Sequence, residues 1–454
     1  MTETLRVTGA DESYLLAEDL FGIGSPIQYL WVFDDDPGDD AIDELRMAVA
    51  GGSLHRAVVR TAVPAARHRW VASTIAPAPE VAARIDDDEI GAWADDRVRA
   101  ARLRPAEGSG WRIESAITTS GRRVMSLTIS HMISDGHGIY RALAAASAGT
   151  DRVLPPPVRA TDRRILREDL ADAAGQLRAA LRSSRILVRE AFAQRRKAKQ
   201  GNEKDSVSVA AGSPRSGVGN DALDAPGPDA TLAIVDIDAA TWHATAAEHG
   251  GTSNSLFTAL LAGMVRRSDF PENGPLRVCI AVSTRDGDTD ERANASGGVW
   301  IRLTGPVGPD DGLADIRALS KRAFTDYAAS GADMVTNNLQ PVVRLLPRRV
   351  IKKMMQSVPG PDTTVSNLGV VPDHVLRLGD STATSFAVRA LVADMPMEQR
   401  RRSGPTIAAW AVEYGDRITL TFFGIHPEYF GDPELVRKLI GEELTAWRIG
   451  HRFW

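Results

Sequence analysis

The chain has one cysteine among its 454 residues, so it cannot form an internal disulfide bond. Cys279 lies in an apolar run, residues 278–282, which predicts a buried strand with an unreactive thiol in a reducing compartment. No stretch approaches the roughly 20 apolar residues that are needed to cross a bilayer. Residues 1–5 lack the basic and apolar segments of a signal peptide. These absences together predict a cytoplasmic protein.

The chain also lacks a strong charge of either sign. Its 54 basic and 59 acidic side chains give a net charge of −5, which argues against a dedicated nucleic-acid-binding protein. Hydrophobic residues make up 43% and charged residues 25%, close to the average of globular proteins, so a core of normal size is expected. Lysine is scarce while Ala, Arg, Asp and Gly are abundant, a composition typical of GC-rich bacteria.

Residues 201–230 are rich in Gly, Ser, Pro, Asn and Asp and show no apolar periodicity. A segment of this kind within one compact unit would be unusual, so it predicts a flexible crossover between two lobes, residues 1–200 and 231–454. Each half mixes strands and helices without a regular βαβ rhythm. This pattern favours an α+β fold of two sandwiches over a Rossmann sheet.

Apolar periodicity predicts the elements of each half. The first half should contain helices at 11–20, 40–49, 87–99 and 163–194, a strand at 31–33, and a hairpin of strands 111–117 and 123–130. In the long helix, Leu170, Leu177 and Leu181 are among the positions expected on the apolar face. The second half should contain strands at 232–237, 276–283, 299–303, 363–366, 406–414 and 416–423, with helices at 253–267, 313–327 and 434–447.

The segment Ser130-His131-Met132-Ile133-Ser134-Asp135-Gly136 is the most informative part of the chain. The alternating strand 123–130 ends at Ser130, and an apolar helix is predicted over 139–148. His131 therefore lies where a rigid sheet meets solvent, a position from which an imidazole can accept a substrate proton near neutral pH. The alternative is a histidine and an N-cap aspartate at a strand–turn–helix junction without catalytic function.

Two other kinds of site fit the segment less well. A metal site would need a third ligand beside His131 and Asp135, and none is apparent, so no metal is expected. A serine hydrolase triad would need an elbow such as Gly-x-Ser-x-Gly, which the sequence lacks.

Further segments accompany the His-x-x-x-Asp-Gly motif in a fixed order. Residues 9–18 and 111–114 precede it, Val282-Ser283-Thr284-Arg285 ends a later strand, and Val365-Ser366-Asn367-Leu368-Gly369 ends another. Together these segments resemble the CoA-dependent acyltransferase superfamily. They are most similar to bacterial wax ester synthase/diacylglycerol acyltransferases and to polyketide-associated acyltransferases.

The resemblance implies two chloramphenicol-acetyltransferase-like α/β sandwich lobes with a tunnel at their interface. His131 would be the catalytic base that moves an acyl group from acyl-CoA to a hydroxyl acceptor of lipid or lipid-like metabolism. Asp135 and Gly136 would have structural roles, with Arg285 of the second lobe paired to Asp135. Ser366 and Asn367 would line the substrate site and would donate a hydrogen bond to the developing oxyanion. No bound cofactor is implied, since acyl-CoA or a carrier-protein thioester is the co-substrate.

Departures from the family pattern leave alternatives open. Ser130 stands where the family doubles the histidine, and Leu368 follows Asn367 where the lipid enzymes continue Val-Pro-Gly-Pro. The alternatives are a condensation-type transferase that uses a carrier-protein thioester and a catalytically silent ligand-binding homologue. Partners would be acyl-CoA, an alcohol or lipid acceptor and an acyl carrier protein. The basic helix from Arg163, which ends in residues 195–199, permits peripheral contact with the inner face of a membrane, although a solvated face is the simpler interpretation.

Overall fold

The structure is a computed structural model that describes residues 5–199, 230–271, 274–287, 290–329, 340–357 and 360–454. The predicted linker, residues 201–230, lies outside the described residues apart from Ala230, and so do the side chains of residues 195–199. The division into lobes at 1–200 and 231–454 therefore stays a prediction.

The described helices cover both halves of the chain. In chain order they are α1 (Gly9–Phe21), α2 (Gly38–Gly51), α3 (Ile90–Ala100), α4 (Gly136–Ser147), α5 (Arg163–Lys199), α6 (Ala239–Glu248), α7 (Ser253–Arg267), α8 (Ala314–Ala329), α9 (Arg348–Ser357), α10 (Asp373–Leu376), α11 (Met397–Ser403), α12 (Pro427–Phe430) and α13 (Pro433–Ala446).

The described strands are named in the same way. They are β1 (Pro26–Phe33), β2 (Arg56–Val59), β3 (Arg69–Ala72), β4 (Glu80–Val81), β5 (Trp111–Ile117), β6 (Arg123–Ser130), β7 (Thr231–Asp238), β8 (Leu276–Ser283), β9 (Ser296–Leu303), β10 (Thr363–Val370), β11 (Arg377–Leu378), β12 (Ser381–Thr382), β13 (Ser385–Ala390), β14 (Ile407–Tyr414), β15 (Arg417–Gly424) and β16 (His451–Phe453). The predicted hairpin of β5 and β6 has the bounds that the alternation indicated.

Two large mixed sheets organise these elements. The first has the strand order β13-β1-β6-β5-β4, and the second has the order β16-β7-β15-β14-β10-β8-β9. Each sheet packs against helices around its own apolar core, one centred on β1, β6, α2 and α4 and the other on α7 and α13. The predicted α+β class is therefore observed.

Strand β13 comes from the second half of the chain but pairs with β1 in the first sheet. Its Arg389, opposite Gln28 in the register, is completely buried. The guanidinium donates to Gln28 Oε1 at 2.7 Å and to Asp95 Oδ1 at 2.6 Å. A buried charge that is paired in this way requires its partners, so β13 is held in one register. Apolar periodicity gave no indication of this exchange between the halves.

The long helix α5 differs from the prediction in its buried face. Leu170, Leu177 and Leu181 are 59%, 46% and 65% exposed. Ala173, another position expected on the apolar face, is buried as predicted, and the helix also buries Ala180 and the carboxylate of Asp169. Asp169 lies against Arg6 and Arg69 at 2.6 Å, so ion pairs hold this helix where the leucines were expected to do so.

Candidate active site

His131 follows the last residue of β6, a strand that is buried along its whole length. Its backbone N–H donates to Ser25 O at 2.8 Å, which holds the residue beside the start of β1. The side chain is partly exposed, between the buried Ser130 and Met132. The rigid sheet therefore presents the imidazole at the edge of the core, as the alternating strand predicted.

Two side chains from distant parts of the chain contact the imidazole. The Tyr14 ring, on α1, stacks on it with centroids 4.6 Å apart and planes 19° apart. Asn294, in the segment before β9, places Oδ1 3.0 Å from Nδ1. Burial lowers the pKa of His131 below its ordinary value, because the charged imidazolium is poorly solvated there. The ring is therefore neutral and able to accept a proton at neutral pH.

Asn294 is itself fixed by buried hydrogen bonds. Its Nδ2 donates to Asp11 Oδ1 at 3.0 Å and to the His131 carbonyl at 2.8 Å, and its backbone N–H donates to Asp11 Oδ1 at 3.1 Å. Asp11 is completely buried, and its other oxygen accepts from Thr8 N at 2.8 Å. Residues from α1, the end of β6 and the segment before β9 thus form one network.

Sequence reasoning did not assign site roles to Asp11, Tyr14 or Asn294. The first two had a usable signal, since they lie three residues apart, on one side of a helix, within the segment 9–18 that resembles the family. Asn294 had no such sequence signal, because its loop carries no periodic pattern and its partners, His131 and Asp11, lie 163 and 283 residues away.

Asp135 caps the N-terminus of α4 and joins the two halves of the chain. Its Oδ1 accepts from Gly138 N at 2.8 Å and from Arg285 Nη2 at 2.7 Å, while Oδ2 accepts from Ala295 N at 2.7 Å. The Asp135 and Arg285 side chains are 7% and 8% exposed. All the contacts described for this carboxylate are structural, and the pair is the one that the resemblance implies.

The two glycines after Asp135 allow close packing. A Cβ on Gly138 would collide with Ser134 Oγ and with Arg285 Nη2, so only glycine lets the guanidinium reach Asp135. A Cβ on Gly136 would collide with Leu368 Cδ2 of β10. Gly136 is the glycine of the His-x-x-x-Asp-Gly motif, but Gly138 is the tighter position, because it adjoins an ion pair and Gly136 adjoins the flexible end of a leucine.

Ser366 and Asn367 lie on β10, next to each other in sequence but on opposite faces of the sheet. Asn367 Nδ2 donates to Asn254 Oδ1 of α7 at 2.7 Å, and Asn367 Oδ1 accepts from Gly369 N at 2.8 Å. Ser366 shares its face with Leu368, which packs in the core of the first sheet and adjoins Gly136. None of the contacts described for Ser366 or Asn367 reaches His131, so their role in lining the substrate site stays a prediction.

The described residues contain no group of three or more His, Cys, Asp or Glu side chains that could hold a metal ion. A cavity of about 410 Å³ lies between the end of β9 and α8, lined by Leu303, Val307 and Leu319 among others, and it does not include His131.

Burial raises the pKa of the Cys279 thiol to about 11, so the thiolate is disfavoured at neutral pH.

Comparison with known proteins identifies the fold of the chain. No family model matches the chain. A diacylglycerol O-acyltransferase candidate of Mycobacterium tuberculosis, found in two strains, is 27% identical over 164 residues. This match covers 35% of the chain and 32% of the relative, so the chain spans about a third of the length of the curated relatives it matches.

Solved structures resemble the whole chain. A wax ester synthase/diacylglycerol acyltransferase from Marinobacter aquaeolei VT8 is 12% identical with a TM-score of 0.56, covering 98% of both chains. The first condensation domain of the calcium-dependent antibiotic synthetase, in complex with a substrate analogue, is 14% identical with a TM-score of 0.57. That match covers 98% of this chain and 96% of the domain. A starter condensation domain of rhizomide synthetase with C8-CoA is 15% identical, covers 99% and 96%, and has a TM-score of 0.52.

These matches confirm the two-lobed α+β fold of CoA-dependent acyltransferases and condensation domains. The interlobe tunnel stays a prediction.

Proposed function

We propose that the protein transfers an acyl group from acyl-CoA to the hydroxyl group of a lipid or lipid-like acceptor, with His131 as general base. The observation that carries the proposal is the position of His131 in this fold: a neutral, partly exposed imidazole held by residues of both halves. The Asp135–Arg285 pair beside it supports the same assignment.

The reaction needs one proton to move twice. Neutral His131 accepts the proton of the acceptor hydroxyl while the oxygen attacks the thioester carbonyl. When the tetrahedral intermediate collapses, the C–S bond breaks and the imidazolium returns the proton to the thiolate. The products are an ester and free CoA, and no covalent acyl-enzyme forms. Ser366 is the candidate donor to the oxyanion, and loss of such a donor typically slows the reaction on the order of a hundredfold.

Release of free thiol from acyl-CoA tests the proposal. The purified full chain should release thiol only when an alcohol is supplied, and His131→Ala should abolish the release. His243→Ala is the matched control, because His243 lies on α6 and contacts only Glu413 among its described partners. A His131→Ala variant as active as the control would reject the role of the histidine.

The same assay separates the two alternative functions. A condensation-type transferase, which the synthetase domains of the same fold suggest, would turn over carrier-protein thioesters and leave acyl-CoA unchanged. A silent binding homologue would be thermally stabilised by acyl-CoA without turnover on any acceptor.

Peripheral membrane contact through α5 extends the proposal to location. Leu170, Leu177 and Leu181 are exposed on one side of the helix, at steps of seven and four residues. Arg178 and Arg182, each one residue further along, are also exposed and form a basic row beside the leucines. Exposed leucines beside arginines suit the surface of an anionic bilayer. Within the described residues, no helix is both long and apolar enough to span a membrane.

Vesicle co-sedimentation tests this contact. The full chain should pellet with phosphatidylglycerol vesicles and stay in solution with phosphatidylcholine vesicles. Leu177→Ser with Leu181→Ser should prevent pelleting, whereas Leu319→Ser, at an exposed leucine of α8, should not. Equal pelleting of wild type and the double variant would exclude α5 as the membrane contact.

A further inference from the structure

We infer that Asn294 is a positioning residue that keeps the proton of neutral His131 on Nδ1, so that Nε2 is the nitrogen that acts as the base. The inference rests on the proposed function for its kinetic meaning. Its structural content, the tautomer of one histidine, stands on the contacts alone.

The orientation of the Asn294 amide follows from its neighbours. Nδ2 lies 3.0 Å from Asp11 Oδ1, 2.8 Å from the His131 carbonyl and 3.2 Å from the Met132 carbonyl. The two carbonyls only accept hydrogen bonds, so the amide nitrogen must face them. A flipped amide would place its oxygen against both carbonyl oxygens.

The amide orientation determines the histidine tautomer. Asn294 Oδ1 lies 3.0 Å from His131 Nδ1, and an amide oxygen can only accept. Nδ1 must therefore carry the hydrogen, which leaves Nε2 with a free lone pair. Asn294 thus holds both the ring and the backbone of His131.

Asp11 fixes Asn294 from the other side. Its carboxylate accepts from both the backbone and the side-chain nitrogen of Asn294 and is completely buried. Burial raises the pKa of Asp11, while its hydrogen bonds with Asn294 and Thr8 lower it, so these partners support the charged form. Asp11 and the Asn294 hydrogen bond both raise the pKa of His131 and thereby oppose the effect of burial.

The network makes the base depend on contact between the two halves of the chain. Ala293 and Ala295, on either side of Asn294, bind Asp135 through backbone groups: Asp135 N donates to Ala293 O at 3.3 Å, and Ala295 N donates to Asp135 Oδ2 at 2.7 Å. The same three residues therefore set the start of α4 and the orientation of His131.

Two readouts on Asn294→Ala test the inference. In ¹⁵N NMR spectra of histidine-labelled protein, assigned with the help of His131→Gln, wild-type His131 should show the Nδ1–H tautomer. The variant should gain the Nε2–H form and titrate at lower pH. In the thiol-release assay, the plateau rate should fall by up to about tenfold, because one typical hydrogen bond changes the tautomer ratio about tenfold and the rate follows the fraction of the active tautomer. The acid limb of the pH–rate profile, where the rate rises with pH, should move to lower pH, because the Asn294 hydrogen bond that raises the pKa of His131 is lost.

Gln28→Ala is the matched control. Gln28 is also a completely buried amide, bonded to Arg389, Ser126 and the Ala94 carbonyl, and none of its hydrogen bonds reaches His131. The Gln28→Ala variant should be less stable than the wild type but should keep the His131 tautomer and the acid limb of the pH–rate profile unchanged.

The outcomes separate this inference from the proposed function. An Asn294→Ala spectrum with the wild-type tautomer and titration would overturn the positioning role, whatever the activity. Full activity of His131→Ala would overturn the proposed function and leave the tautomer measurement intact.

Discussion

Removal of Arg285 should destabilise the protein by leaving Asp135 buried without its counterion. Both side chains are more than nine-tenths buried, and the guanidinium donates to Asp135 Oδ1 at 2.7 Å. Loss of one partner of a buried pair costs about 3–5 kcal/mol. Because Asp135 would keep two backbone donors, Gly138 N and Ala295 N, we expect Arg285→Met to lower the free energy of unfolding by about 3 kcal/mol.

A double-mutant cycle isolates the pair from the cap. Asp135→Asn keeps an oxygen to cap α4 but leaves Arg285 with carbonyl acceptors, those of Arg292 at 3.0 Å and Ala293 at 3.1 Å, and should cost about 2 kcal/mol. The double variant should cost about 3 kcal/mol rather than the sum of the two, a coupling of about 2 kcal/mol. Urea unfolding, monitored by tryptophan fluorescence, measures each value.

The matched control is the pair of Arg277 and Asp362, with an N–O distance of 2.8 Å and side chains 20% and 2% exposed. Both residues belong to the second half of the chain, so Arg277→Met should destabilise the protein while retaining acyl transfer. Arg285→Met should lose both, because Arg285 also holds the segment that carries Asn294. A loss below about 1 kcal/mol in Arg285→Met, or additive costs in the cycle, would show that the pair does not join the halves as described.

The remaining predictions concern the histidine and its surroundings. Burial depresses the pKa of His131, so its neutral form persists below pH 6.5. The acyl-transfer rate should therefore rise with pH only below about 6.5 and be independent of pH above that value. A midpoint of the pH–rate profile above 6.5 would contradict the lowered pKa. Tyr14→Ala, which admits water to the ring, should move the acid limb to higher pH, opposite to Asn294→Ala, whereas Tyr14→Phe should leave it unchanged. Gly138→Ala should lower the free energy of unfolding in urea by about 2–3 kcal/mol, because the added Cβ displaces Arg285. Gly136→Ala should lower it less, because only the Leu368 side chain must move. The reverse order would refute the packing argument.

Much of the fold could be predicted from local pattern. The alternation of residues 123–130 predicted β6 with its observed bounds, and the apolar runs predicted β8 and α7 in the same way. Such patterns are reliable where one face of an element meets the core. In α5 the rule failed for Leu170, Leu177 and Leu181, because Arg6 and Arg69 bind the buried Asp169 and these leucines face outward. Ion pairs with residues about 100 or more positions away leave no periodic signal.

The candidate site shows the same division. The sequence by itself determined that His131 follows a buried strand, and its alternative interpretation made Asp135 the N-cap of the next helix, because both features depend on residues within a few positions. The resemblance added Arg285 as the partner of Asp135. Only the tertiary structure decided which atoms surround the imidazole: the Tyr14 ring and the Asn294 amide reach it from segments 117 and 163 positions away. Contacts of that range are set by how the sheets pack, and no local pattern encodes them.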